Sequence, residues 1–320
     1  MAKVFLQSLE QGYEAPIREG LAFTGVSGTL KSSDRVAIKP NLTFPVFRKG
    51  VMTNPEAIEA LIRVLKDHTA HITICESDSG GYNPFSMDNV FESTGLTEIA
   101  KRYGVRVVNL TDLASRAIPV RASWRSLSVP LPACLLDETD LFISMPVPKV
   151  HANTQVSLAL KNQWGIIQKP SLRLKLHPYF KDVIHAVNKA LPRSIAVMDG
   201  RYGLTRNGPM RGDVVDLNWL MVADSLFWCD FAALQLMGIS VASVAYLREI
   251  FQRERMDPAD LIVNEGYERC PRTQFYLQRD WTDYPGLCTF HSRVLAYLGY
   301  ESMLAAPLHR LLYLMRKPFY

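Results

Sequence analysis

Residues 144–165 read SMPVPKVHANTQVSLALKNQWG and contain the pattern that indicates an α/β fold. An apolar run at residues 141–145 ends at Pro146 and Pro148, which predicts a buried strand that stops where proline removes the backbone donor. Polar side chains follow at once, and residues 155–162 have helical spacing. In open α/β sheets ligands bind in the crevice at the carboxyl ends of the strands, so this pattern predicts a ligand site. The alternative interpretation is a polar surface loop.

Strand-like and helix-like segments alternate through the first half of the chain. Short apolar runs at residues 34–39, 72–75 and 105–110 predict strands. Residues 53–56 combine a polar cap, a proline and an acid, which is typical of a helix start, and residues 85–103 predict a helix broken near its middle. Because each parallel crossover requires a helix, we expect an α/β fold with a mainly parallel sheet and helices on both faces.

The second half repeats this pattern and then changes in character. Helical spacing at residues 180–191 is followed by a predicted strand at residues 195–198 and by a glycine-rich loop at residues 203–212. We expect an α/β core over residues 1–270, with a ligand cleft at the strand carboxyl ends, and a helical C-terminal appendage over residues 271–320. Further helices are expected at residues 225–237, 241–251 and 258–263, and an antiparallel insertion at residues 115–136.

Composition limits the class of protein. The net charge of +5 over 320 residues comes without a run of five or more basic residues, so we expect no nucleic-acid partner. The five cysteines are far apart and form no Cys-x-x-Cys pair, which argues against an iron–sulfur cluster and favours a reducing compartment. No nucleotide-binding fingerprint is present. Without a signal sequence or a long apolar run, we expect a cytoplasmic protein.

Polar side chains follow several of the predicted strands. If those strands are parallel neighbours, their carboxyl ends meet along one rim of the sheet and bring these side chains together. Hydrogen-bonding and charged groups at such a rim would hold a substrate. The candidate substrate-binding residues are Lys39, Asn41, Asp78, Lys161, Asn162, Asn207 and Gly208.

The residue types at this rim indicate a chemistry. Lys39, Lys149 and Lys161 would attract a carboxylate or a phosphate, although each is also read as a solvated surface charge. His151 is a candidate acid or base because imidazole titrates near neutrality, and we expect it to work with Asp199 and Lys149 as catalytic residues. Nitrogen and oxygen ligands would also suit a divalent metal, although no motif such as His-Glu-x-x-His occurs. The candidate metal ligands are His151, His177, Asp78 and Asp199.

Taken together, these motifs resemble the bacterial and archaeal family called "domain of unknown function 362", over residues 34–238. The resemblance implies the α/β fold and a site at these motifs. Some members carry an appended ferredoxin-type domain, which implies redox chemistry in those cases, but this chain has no cysteine motif for one. The motifs that carry the resemblance are KPNL at 39–42, TNPE at 53–56, ESD at 76–78, PKVHANT at 148–154, LKNQWG at 160–165, His177, DG at 199–200, and NGP at 207–209 with Gly212.

We therefore expect an enzyme that acts on a small anionic metabolite by acid/base chemistry or by metal-assisted redox chemistry. The alternative is an anion-binding or regulatory protein without turnover. Residues 290–320 mix apolar and basic side chains, which is typical of helices docked on the core. The same pattern also fits contact with a membrane surface, or a homo-oligomer formed through this segment.

Overall fold

A computed structural model describes the chain over residues 1–79, 85–122, 125–300 and 302–315, except for the side chains of residues 309 and 312–315. The strands within this part are β1 (Ala2–Ser8), β2 (Val36–Pro40), β3 (Ile72–Glu76), β4 (Arg106–Asn109), β5 (Ser115–Ala122), β6 (Arg125–Pro132), β7 (Leu141–Met145), β8 (Lys149–His151), β9 (Gln155–Ser157), β10 (Ser194–Thr205), β11 (Asp213–Ala223) and β12 (Leu261–Val263).

Ten of these strands form one sheet, in the order β12-β1-β11-β10-β7-β2-β3-β4, with β8 beside β10 and β9 beside β8. The strands from β10 to β4 in this order are parallel to their neighbours. Antiparallel pairing joins β11 to β1 and β10, and β8 to β9. The sheet is therefore mainly parallel, as the alternation of segments predicts.

Helices lie on both faces of the sheet, which confirms the predicted α/β class. They are α1 (Glu14–Phe23), α2 (Pro55–Lys66), α3 (Met87–Ser93), α4 (Leu96–Tyr103), α5 (Ala133–Asp137), α6 (Ala159–Asn162), α7 (Pro170–Leu176), α8 (Phe180–Ala190), α9 (Leu226–Leu236), α10 (Ala245–Arg253), α11 (Glu265–Arg269), α12 (Tyr284–His291), α13 (Arg293–Tyr300) and α14 (Ala305–Met315).

The side chains of each strand alternate between two apolar cores. One core packs Ile38, Ile143 and Val197 against α1 to α4, and we call this side of the sheet the α2 face. The other core packs Ala37 and Phe142 against α6, α8, α9 and α10, and we call this side the α8 face. A residue's position in its strand therefore decides which helices its side chain meets.

The helix predicted at residues 155–162 is wrong over its first half. Residues 155–157 form β9, in which Gln155 pairs with His151 and has a φ of 69°. Leu158 has extended backbone (φ −132°, ψ −154°), so α6 begins only after it. Strand pairing with β8 overrides the helical spacing of the apolar residues.

Two further boundaries differ from the predicted ones. The strand expected at residues 195–198 continues to Thr205, because β10 and β11 form a long antiparallel hairpin with an irregularity between Gly200 and Tyr202. The glycine-rich loop therefore begins after the strand, at residue 206. Part of the helix expected at residues 258–263 is instead the strand β12, which pairs with β1.

The remaining segments agree with the predictions or extend them. The antiparallel insertion is the β5–β6 hairpin, and the broken helix at residues 85–103 is α3 followed by α4. Towards the C-terminus, Phe290 and Ala296 are buried, so α12 and α13 dock on the core, whereas residues 301 and 316–320 lie outside the described part. A domain boundary at residue 270 stays a prediction.

Candidate functional site

The candidate site contains a buried ion pair between Lys39 and Glu76. Lys39, at the end of β2, donates from Nζ to Glu76 Oε2 at 2.6 Å, to Asn162 Oδ1 at 3.2 Å and to the Pro40 carbonyl at 3.1 Å. The side chains of Lys39 and Glu76 are 1% and 5% exposed, so the pair is desolvated. A buried charge of this kind is tolerated only when it is paired and hydrogen-bonded, and Lys39 meets both conditions.

The end of α6 and the residues that follow it pack directly on this ion pair. Asn162 Nδ2 donates to the Lys39 carbonyl at 3.1 Å and to Ser144 Oγ at 3.0 Å. These two bonds join α6 to β2 and β7. Gly165 lies so close that a Cβ there would come within 2.7 Å of Glu76 Oε1 and 2.9 Å of Lys39 Nζ. A side chain at position 165 would therefore force the charged ends of this buried pair to shift.

A second buried cation, Arg173, lies next to this ion pair and bonds to the residue that follows Glu76. Arg173 of α7 donates to Ser77 Oγ at 2.6 Å, to the Ile167 carbonyl at 2.6 Å and to the Gln168 carbonyl at 3.1 Å. Burial lowers the pKa of Arg173 to about 10, and the charges of Glu76 and Asp78 act against this shift. The guanidinium thus holds the turn after β3 against the loop that precedes α7.

Helix α6, which has only four residues, is oriented by Asp230 of α9. The Asp230 carboxylate accepts from the Ala159 amide at 2.6 Å and from the Leu160 amide at 3.2 Å, while its own side chain is fully buried. The first amides of a helix have no partner within the helix. A carboxylate that accepts from them satisfies their hydrogen bonds and interacts favourably with the positive end of the helix dipole. Through this contact Asp230 fixes the direction in which α6 presents Lys161 and Asn162.

Lys161 is a cation without a compensating charge. In the part of the chain that the structure describes, its ammonium has no hydrogen-bond or ion-pair partner and no carboxylate acts on it. Burial, together with the charge of Lys39, lowers the pKa of Lys161 to about 7. Near neutral pH the ammonium and the neutral amine of Lys161 are therefore both accessible.

Lys149 is a second cation of the site, and unlike Lys161 it has a hydrogen-bond partner among the described residues. Its Nζ donates to the Val51 carbonyl at 2.7 Å, and the Asn41 side chain donates to the same carbonyl. Burial and the charges of Lys161 and Lys39 lower the pKa of Lys149 to about 7, against the opposing charge of Glu76. We call Lys39, Lys149 and Lys161 the lysine cluster.

Two neutral histidines face the same cluster. Burial, with the charges of Lys161 and Lys149, lowers the pKa of His151 well below its ordinary range. Its Nδ1 accepts from the Asn153 amide at 3.1 Å, so the neutral ring carries its proton on Nε2 and can donate from there. Burial and Lys161 lower the pKa of His177 to about 3, and this ring stacks on Trp164 at 5.8 Å.

The site is therefore rich in cations and poor in carboxylates. The three members of the lysine cluster influence one another's charge, and His151 and His177 feel them as well. Glu76, the carboxylate that acts on Lys149, is already paired with Lys39. A small anion placed between Lys149 and Lys161 would supply the missing negative charge.

Asp199 lies apart from this cluster. It follows Val197 at strand spacing and therefore faces α2, whereas Lys39 follows Ala37 on the α8 face. Its carboxylate accepts from Tyr13 at 3.0 Å, the Asn54 amide at 2.8 Å and the Arg201 amide at 3.1 Å. Burial raises its pKa and these bonds oppose the shift. The structure does not bring Asp199 to His151, so the expected proton-transfer pair is not formed.

Three further candidate residues bond to protein groups. Asp78 Oδ1 accepts from the Met87 amide at 2.7 Å and from Asn109 at 3.1 Å, which joins the start of α3 to β4. Asn207 donates to the Gln278 carbonyl at 3.1 Å and to Asp283 at 3.0 Å. Gly208 lies against the backbone of β8, where its carbonyl accepts from the Ala152 amide at 2.9 Å.

The metal set expected from the sequence is not assembled. Among the described residues, no group of three or more His, Cys, Asp or Glu side chains is placed to hold a metal ion. His151 and His177 both lie near Lys161, while Asp78 and Asp199 are held elsewhere by the bonds above. The cations around the two imidazoles would also repel a divalent metal.

Sequence reasoning missed three residues that shape the site, and it named Glu76, in the ESD motif after a predicted strand, without giving it a role. Asp230 is the one charged residue of α9, which is otherwise apolar apart from Gln235, so its burial could have been suspected. Ser144 and Arg173 have no comparable signal, because their partners become neighbours only in the folded chain.

The fold and the site together define an α/β protein with a buried cationic site at the carboxyl edge of its parallel strands. The model of the family "Domain of unknown function (DUF362)" matches residues 36–235. This match covers more than half of the chain, so the protein belongs to the DUF362 family, as its motifs indicate.

Individual relatives are distant. The chain is 22% identical to "Thylakoid-associated protein sll1697" of Synechocystis sp. (strain ATCC 27184 / PCC 6803 / Kazusa) over 228 residues, which is 69% of this chain and 68% of that protein. Among solved structures, the lactate racemase apoprotein of Thermoanaerobacterium thermosaccharolyticum aligns with a TM-score of 0.40 at 13% identity, over 63% of this chain and 49% of that chain. A Thermotoga maritima protein aligns with a TM-score of 0.41 at 11% identity, over 78% of this chain and 61% of that chain. Both alignments span less than two thirds of the solved chains.

Proposed function

We propose that the protein is an enzyme that binds a small carboxylate or phosphate at the lysine cluster and moves a proton on it. The observation that carries this proposal is the charge balance of the site. Lys149 is buried and Lys161 is half-buried, and the pKa of each is lowered to about 7. Among the described residues, the carboxylate that acts on Lys149 is Glu76, which is already paired with Lys39. Burying unpaired charge is costly, so a site of this kind is favoured when a ligand supplies the counter-charge.

The two titrating lysines would have different roles. Lys149 is anchored as a donor by its bond to the Val51 carbonyl at 2.7 Å, which suits it to hold the anionic group. Lys161 has no such bond within the described residues, and its pKa of about 7 leaves a large neutral fraction at neutral pH. A neutral amine whose pKa is close to the working pH is an efficient general base. We therefore assign proton abstraction to Lys161.

His151 would act as a neutral donor. Its Nδ1 is occupied by the Asn153 amide, so Nε2–H is available to the ligand. In the proposed step the amine of Lys161 takes a proton from the carbon next to a carboxyl or carbonyl group and becomes an ammonium. The electron pair left on that carbon spreads into the carbonyl oxygen, where Lys149 and His151 Nε2–H stabilise the negative charge. Return of the proton regenerates the amine.

The test is exchange of carbon-bound hydrogen in D2O. A panel of 2-hydroxy acids, 2-oxo acids and phosphate monoesters is incubated with the protein and followed by proton NMR. We expect exchange at the carbon next to the carboxyl or carbonyl group of at least one compound, with a loss of roughly 100-fold or more in Lys161→Met and His151→Ala. The exposed Lys31 offers a matched control in Lys31→Met, which should exchange as the wild type does.

Each other outcome decides between the hypotheses. If a compound binds but its hydrogen never exchanges, the protein is an anion-binding or regulatory protein rather than an enzyme. If exchange persists unchanged in Lys161→Met, the assignment of the base is wrong. If no compound binds, the proposed function as a whole is refuted.

A further inference from the structure

The C-terminal helices expose an apolar surface that the docking of α12 and α13 leaves uncovered. Leu304, in the turn that leads into α14, and Leu308 and Leu311 of α14 are 56%, 42% and 54% exposed. Their spacing of four and three residues places them on one side of this segment. On α13, Val294 and Tyr297 are 67% and 56% exposed. We call these five residues the C-terminal apolar patch. Isolated exposed apolar residues are ordinary, but several of them on two helices that contact each other indicate an interaction surface.

The charge of this region favours an anionic lipid surface over a second copy of the chain as the partner of the patch. The sequence from residue 290 to 320 contains four basic side chains and one acidic one, and Arg310 is exposed on α14 next to Leu311 of the patch. A second copy of the chain, bound through the same patch, would bring like charges together, since a two-fold interface pairs each surface with itself. An anionic lipid surface instead complements both the apolar side chains and the positive charge.

The length of the helices sets the mode of contact. No helix in the described part of the chain combines the length and apolar character that a membrane crossing requires. Helix α14 has eleven residues and so can only lie along a surface. Helices of this kind bury their apolar side at the boundary between headgroups and acyl chains, with basic residues near the phosphates.

We propose that the C-terminal apolar patch binds the surface of anionic membranes, with α14 lying in the interface and Arg310 against the lipid phosphates. Docking of α12 and α13 on the core is retained in this arrangement, because the buried residues Phe290 and Ala296 are not part of the patch. The membrane contact therefore adds to the fold without unfolding any of it. It is independent of the lysine cluster, which lies on other elements.

The test is flotation of the full chain with vesicles. Vesicles of phosphatidylcholine with 30% phosphatidylglycerol are compared with vesicles of phosphatidylcholine alone at low and high salt. We expect binding to the anionic vesicles, weakening at high salt as surface charges are screened. The triple variant Leu304→Gln, Leu308→Gln, Leu311→Gln should bind at least about tenfold more weakly, and Arg310→Glu at least about fivefold more weakly.

A matched control uses an exposed apolar residue far from the patch. Val214 of β11 is 49% exposed, and Val214→Gln should bind vesicles as the wild type does. Equal binding by the triple variant and the wild type overturns the proposal. So does the absence of vesicle binding, and so does a wild-type dimer in light scattering that the triple variant converts to a monomer, since that result assigns the patch to a second copy. The triple variant and Arg310→Glu should leave the exchange in D2O unchanged, because none of the substituted residues belongs to the lysine cluster, so the two proposals fail separately.

Discussion

Replacing Lys161 by methionine should change how the stability of the protein depends on pH. Methionine keeps most of the volume of the side chain and removes its charge. Burial and Lys39 lower the pKa of Lys161 from its ordinary value of 10.5 to about 7. Between these two values the unfolded chain binds one more proton at this position than the folded protein does.

The sign and size of the effect follow from proton linkage. Stability rises with pH wherever the unfolded state binds more protons, so the penalty for burying Lys161 is fully present below pH about 7 and is lost as the pH rises towards 10.5. One proton per molecule corresponds to about 1.4 kcal/mol per pH unit. Lys161→Met should therefore be more stable than the wild type near pH 7, and this advantage should shrink by about 2.5 kcal/mol between about pH 7.5 and about pH 9.5.

Urea denaturation at a series of pH values measures this difference directly. Lys31→Met, which removes an exposed lysine, serves as the matched control and should follow the wild type in parallel over the whole range. If Lys161→Met also runs parallel to the wild type, its ammonium is not held in the desolvated cluster that we describe.

Three further predictions concern single contacts. Gly165→Ala places a methyl group against the buried ion pair and should lower the unfolding free energy by about 1–3 kcal/mol, while Gly28→Ala, which meets no atom within 4 Å, should have little effect in the same thermal melts. Glu76→Gln leaves the buried ammonium of Lys39 without its counter-charge and should lower the free energy of unfolding in urea by about 3–5 kcal/mol. Glu98→Gln, at an exposed ion pair, should lower it by about 1 kcal/mol or less, and equal losses in the two variants would contradict the difference in burial. Asp199→Asn should lower the melting temperature without changing anion affinity in calorimetry, and a loss of affinity would return this carboxylate to the site.

The fold was accessible from sequence because its parallel core has strong local signals. Proline ends β2 and follows β7, Asn54 caps α2 through the Glu56 amide, and apolar runs mark the central strands. The strands β1, β9 and β12 were missed or misassigned because long-range pairing decides them. Residues 258–263 show this well, since half of the predicted helix pairs with β1 at the other end of the chain.

The site was predicted in part, and the reason is geometric. Lys39, Lys149, His151 and Lys161 lie near one another because β2 and β7 end at the same edge of the sheet and the chain after β7 continues into β8 and α6. Asp199 does not join this group, because the face of the sheet on which a side chain lies depends on the register of its strand. That register cannot be read from an isolated run of residues.

The central claim is that the lysine cluster lacks a counter-charge that a small anion supplies. Calorimetry at about pH 8 in two buffers of different ionisation enthalpy tests it with a carboxylate from the panel that does not itself titrate there. Because the pKa of Lys149 is about 7 without ligand, an anion held by its ammonium should raise this pKa and draw a proton from the buffer. Lys161, the proposed base, should keep a neutral fraction in the complex. We predict an uptake of up to about one proton per anion bound, which Lys149→Met should abolish. Binding without any proton uptake, or no binding by any member of the panel, would contradict the account.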